Sequence, residues 1–105
     1  MSATMKSADS LQQKFSRLSA QWRDETAHMS LAAQRAMHPA YQHIIGIGPD
    51  AVPLLLQQLQ QGPNDWFWAL NAITEADPVP EASQGNLQEM ANAWIEWGRS
   101  EGYLE

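Results

Sequence analysis

The sequence predicts an all-α protein, a compact bundle of about five helices. Three observations carry this. Apolar residues recur every three or four positions in segments that begin near Leu11, Val52, Trp66 and Leu87, the spacing of one helical face. Gly and Pro clusters separate these segments, around Gly46 to Pro49, at Gly62 and Pro63, and from Pro78 to Gly85. No stretch of useful length alternates apolar and polar residues as a half-buried strand does.

A chain of 105 residues has room for one hydrophobic core and not for two. A hydrophobic content of 44% with five Trp supplies the burial that a folded chain needs, which argues against disorder beyond the first residues. Residues 1–8 read as a flexible N-terminus and residues 9–105 as a single helical domain. The absence of Cys removes disulfides, thiolate metal sites and thiolate nucleophiles. The N-terminal segment lacks the basic-then-apolar order of a secretion signal, and no run reaches the roughly 18 apolar residues of a membrane span. A soluble protein of the cytoplasm is expected.

The first helix is expected to begin near Ser7 to Ser10, whose side chains suit an N-cap, and to run to about Thr26. Leu11, Phe15, Leu18 and Trp22 form its apolar stripe. A second piece spans Met29 to Met37, with Ser30 as its expected cap. Pro39 breaks the helix at His38 and suits the first turn of a new one, PAYQHII, with Tyr41, Ile44 and Ile45 inward. Gly46 is the expected left-handed stop, with Ile47 folding back. The next helix carries Val52, Leu55, Leu56 and Leu59; Pro53 fits only its first turn, so Asp50 is the expected cap. Asn64 or Asp65 should cap the segment WFWALNAITEA, and Asn86 the last helix, whose stripe is Leu87, Met90, Ala91, Trp94, Trp97 and Gly98. Tyr103 and Leu104 are expected to fold back on its end.

An offset of 29 residues pairs Ala40 with Ala69, Tyr41 with Leu70, Ile44 with Ile73 and Pro49 with Pro78, so a short helix, a Pro turn and a longer helix recur. The wording IIGIGPDAVPLLLQQL resembles the HEAT-type repeat over residues 39–61, which implies HEAT-like antiparallel helix pairs and a scaffold for interactions. Over nearly its full length the chain also resembles a family of small bacterial helical proteins with no settled activity. The shared phrases stand here as MHPAYQHIIGIG, WFWALNAIT, DPVP and AWIEWGRSEGY. Where that family often has Gly after the Thr of the second phrase, this chain has Glu75, which puts a Gly-specific turn there in doubt.

The formal net charge of −6 is uneven: residues 53–105 carry Arg99 alone against eight carboxylates. An acidic half repels phosphates, so nucleic acid is an unsuitable partner, whereas a basic protein is a complementary one. His38 and His43 are five apart and point about 140° away from each other on a helix, which does not suit a shared metal ion. His38 is better used to satisfy a backbone group at the break before Pro39. Carboxylates such as Glu89 and Glu96 have no His, Lys or nucleophile tied to them by a motif, so no catalytic residue and no cofactor is assigned.

Trp22, Trp66, Trp94 and Trp97 fit inward stripes. Trp68 lies about 200° around the helix from Trp66, so it either packs on a neighbouring element or stands exposed. An exposed Trp68, with Asp65, Asn71 and Glu75 beside it, is the expected partner-binding set. The leading expectation is a non-enzymatic interaction domain, in the manner of an adaptor or of an immunity or antitoxin-like protein. The rival is a small-ligand or catalytic pocket near His38, Tyr41 and the Trp cluster, and self-association through the Leu54 and Ile95 faces is a third.

Overall fold

The computed structural model of the protein describes residues 3–62 and 65–104, with side chains from Leu11 onward. Among these residues are α1 (Ala3–Thr26), α2 (Ala32–Ala36), α3 (Pro39–Ile47), α4 (Val52–Gln61), α5 (Phe67–Thr74) and α6 (Leu87–Ser100), two 3-10 turns at Gly48–Ala51 and Glu81–Ser83, and no strand. Five of the helices have eight residues or more, and the fold is the all-α bundle that the periodicities predict.

In α1 the stripe of Phe15, Leu18 and Trp22 is buried and Leu11 half-buried. The helix starts at Ala3, ahead of the expected Ser7 to Ser10, and residues 3–6 hold nothing that opposes a helix. Of the segment expected to be flexible, Met1 and Ser2 lie outside the described residues. Buried Thr26 closes α1 by donating its hydroxyl to the Trp22 carbonyl at 2.6 Å.

A helix as short as α2 does not stand alone. Ser30 does not cap it: the N-cap is Leu31, which makes no side-chain bond. Side chains from elsewhere hold it instead. Trp22 Nε1 donates to the Arg35 carbonyl at 2.8 Å, and the Arg35 guanidinium donates to the Met29 carbonyl at 2.8 Å while pairing with Asp65. His38 caps α3 as expected, its Nδ1 accepting from the Ala40 amide at 3.0 Å with Pro39 at the first helical position. That leaves the ring proton on Nε2, which donates to Glu25 at 2.7 Å.

The left-handed stop after α3 is Gly48, with φ 85°, and not Gly46. Continuing the helix through Gly46 lets Ile45 and Ile47 both pack on the core. Asp50 likewise caps nothing. Ala51 and Val52 are fully buried in helical conformation, so the 3-10 turn runs straight into α4 and leaves no extended cap position. Val52, Leu55, Leu56 and Leu59 then form the buried face of α4.

The aromatic centre lies where α1, α3 and α5 meet: Trp66 sits 4.7 Å from Trp22, 5.2 Å from Tyr41 and 5.9 Å from Phe15, ring centre to ring centre. The helix pair that resembles a HEAT repeat divides its partners, α3 packing on α1 and α5 while α4 packs on α6. Gly98 permits that last approach, because a Cβ there would lie 2.5 Å from a Leu56 methyl. Asn86 caps α6, accepting from the Glu89 amide at 3.0 Å. Leu87 departs from the expected buried stripe and is 49% exposed in the first turn. The end of α6 is closed by Gly102 in the left-handed region, with the Tyr103 amide donating to the Gly98 carbonyl at 2.8 Å and Tyr103 stacked on Trp97. Leu54 and Ile95, the proposed self-association faces, are partly buried against the core.

Candidate functional site

The site is built on α5, whose two ends are fastened by groups that do not belong to its own cap position. At the N-terminal end, Asn64 lies outside the described residues, and the Asp65 carboxylate is turned to Arg35. Trp66 occupies the cap position in helical conformation without a capping bond of its own. The cap comes from 28 residues away in sequence: the Tyr41 hydroxyl accepts from the Ala69 amide at 2.9 Å and donates to the Asp65 carbonyl at 2.7 Å. Ala69 is the third residue of the helix, so its amide is one of those that a helix cannot satisfy internally. Burial pushes the Tyr41 phenol well above its ordinary range; the Ala69 amide acts in the opposite sense, and the nearby Asp65 adds to the rise.

This arrangement fixes the rotation of α5. Trp66 is fully buried, its Nε1 without an acceptor among the described residues, and the helical repeat then carries Trp68 to the outside, where it is 52% exposed. At the C-terminal end, the Thr74 hydroxyl donates to the Leu70 carbonyl at 2.7 Å and accepts from the Ala76 amide at 3.1 Å, while the Asn71 amide group donates to the Ala76 carbonyl at 2.8 Å. Between them Glu75 takes the left-handed conformation, φ 60° and ψ 14°, which turns the chain back across α6. Among the described residues it alone does so without being glycine.

The returning connection buries Val79 and leaves an open groove of about 360 Å³ between itself, α5 and the start of α6. Phe67, Val79, Met90 and Trp94 supply its apolar lining, Asn71, Asp77 and Gln84 its polar groups, and Trp68 also lines it. No protein-family model, curated protein or solved structure matches this chain. The chemistry of the groove must come from its own side chains. Residues 44–98 contain no Lys, Arg or His and seven carboxylates, Asp50, Asp65, Glu75, Asp77, Glu81, Glu89 and Glu96. Asp65 is paired with Arg35, but Asp77 has no ion-pair or hydrogen-bond partner among the described residues.

Of the four residues expected to bind a partner, Trp68 and Asn71 line the groove together, and Glu75 makes the turn that builds its wall. Asp65 does not join them. It lies at the other end of α5, beside a separate depression of about 290 Å³ shared with Trp22, Thr26, Met29 and Arg35. Asp77, Val79, Gln84 and Met90 were not in the expected set; Val79, the apolar residue flanked by two prolines in DPVP, is the one signal that the connection packs rather than merely spans. In the region of the rival pocket, Tyr41, Trp22 and Trp66 pack ring on ring and His38 is committed to Ala40 and Glu25, so the open space there is the depression at the Trp22 edge of the cluster. Among the described residues no group of three or more His, Asp or Glu could hold a metal ion, and no helix is long and apolar enough to cross a membrane.

Glu75 also offers a test of the turn. Replacing it with Gly removes the steric penalty of the left-handed region, which outweighs the added freedom of the unfolded chain by about 0.5–1 kcal/mol. Glu75→Gly is expected to raise Tm by about 4 °C in a thermal melt, with Glu75→Ala as a control that leaves it unchanged. A Tm that does not rise with Gly would show that the turn carries no such cost.

Proposed function

We propose that this protein is a non-enzymatic protein-interaction domain of the cytoplasm that meets its partner through the Trp68 groove, with an adaptor role, or an immunity or antitoxin-like one, as its concrete form. The observation that carries this is the exposure of a Trp beside a groove with an apolar floor, on a helix held rigidly at both ends. Large exposed aromatics on a fixed frame are the side chains from which protein interfaces draw most of their binding energy. The acidic surface around it suits a basic partner.

Trp68→Ala separates this reading from a structural role. Because half of the side chain already faces solvent, its truncation is expected to cost no more than about 1 kcal/mol of stability. Capture of a stoichiometric partner by the tagged protein in its native host should fall about tenfold or more. Unchanged capture, or a fall in Tm as large as that of a core truncation, would overturn the proposal.

A further inference from the structure

We infer that the groove receives an arginine-bearing segment of the protein partner, the guanidinium lying on the Trp68 ring within reach of Asp77 and a neighbouring aliphatic side chain resting on Phe67 and Met90. This rests on the reading of the groove as a protein contact and names what fills it. Asp77 is the lone ionisable group of the lining, and no cation occurs in the chain from Ile44 to Gly98, so neither α5, the connection nor the first turns of α6 can supply its counter-charge. The polar amide of Asn71 is occupied by the Ala76 carbonyl, which leaves the carboxylate as the strongest group facing an incoming ligand.

The face of a Trp attracts a cation, and arginine satisfies both neighbours at once: its planar guanidinium stacks on the ring while its edge donates two parallel hydrogen bonds to a carboxylate. Lysine would offer a point charge without the stacking. The groove is open rather than enclosing, so it takes a few side chains of a peptide lying across it. Phe67 and Met90 are the half-buried apolar groups of the lining, so a guanidinium alone would leave them uncovered, and an aliphatic neighbour completes the fit.

A library of random dodecapeptides displayed on phage and panned in parallel against the intact protein, Trp68→Ala and Asp77→Asn tests this directly, with circular dichroism confirming that each variant is folded. Peptides enriched by the unaltered protein are expected to carry Arg beside Leu, Ile, Val or Met. An enriched peptide, once synthesised, should bind Trp68→Ala about tenfold more weakly and Asp77→Asn about fivefold more weakly, and should lose affinity as salt rises. Enrichment of uncharged or acidic peptides, or binding indifferent to Asp77→Asn, overturns the arginine assignment while leaving the groove as a contact. Enrichment equal on Trp68→Ala, or none at all, overturns both.

Discussion

Trp22→Ala is expected to lower Tm by about 15 °C or more and to shift the urea midpoint with it. Trp22 is almost wholly buried and packs on both Tyr41 of α3 and Trp66 at the start of α5, 5.2 Å and 4.7 Å away ring centre to ring centre. Removing a buried Trp costs about 3–5 kcal/mol through lost transfer energy and the void left behind. A chain of this length has roughly 5–15 kcal/mol in total, and each kcal/mol is worth about 4–8 °C in a domain of this size. The indole also donates to the Arg35 carbonyl, so the truncation loosens α2 as well as α1. A shift of less than about 5 °C would mean that the aromatic centre is not what joins α1 to the rest. The contrast with Trp68, for which little stability change is expected, distinguishes the two kinds of Trp in a single melting experiment.

Tyr41→Phe removes one oxygen atom and is expected to cost about 2–3 kcal/mol. The loss exceeds that of an average hydrogen bond because two backbone groups, the Asp65 carbonyl and the fully buried Ala69 amide, lose their partner at once. Tm should fall by about 10 °C. The same residue predicts alkaline behaviour. Burial raises the Tyr41 pKa in the folded state above the value of about 10 expected when unfolded. The folded protein therefore keeps a proton that the unfolded chain releases, and stability falls as pH rises past that value, by up to about 1.4 kcal/mol per pH unit. Below it the contribution is fully present. Urea midpoints measured at rising pH should decline less steeply for Tyr41→Phe than for the unaltered protein; equal slopes would mean that Tyr41 is not the group responsible.

Periodicity made the inward faces legible. Phe15, Leu18 and Trp22, then Val52, Leu55, Leu56 and Leu59, occupy the buried positions that helical spacing assigns them, since a face at 3.6 residues per turn is a local property. Two caps were equally local: Asn86 lies three residues before the amide it accepts from, and His38 two residues before its own. The cap on Ala69 was not legible, because its oxygen comes from Tyr41 in another helix. Asp65 looked like a cap for the same reason that it makes a good ion-pair acceptor, and Arg35 claimed it. Spacing alone showed that Trp66 and Trp68 face opposite ways. Which of the two met a neighbour depended on α1 and α3 both lying on the Trp66 side, a tertiary fact. The groove was hidden similarly, since DPVP reads as a spacer and becomes a wall only once Glu75 turns it across α6.

The hydroxyl that reaches from α3 to the start of α5 has a consequence for engineering. A recognition peptide is most easily transplanted when its shape is written into its own residues, as in a hairpin or a self-capped helix. Here the helix that bears Trp68 borrows its first hydrogen bond from Tyr41, and the face opposite Trp68 is shaped by Trp22 and Phe15. Excised as a fragment, the segment from Trp66 to Trp94 would lose both, along with the rotation that turns one indole outward. The portable unit is the whole bundle.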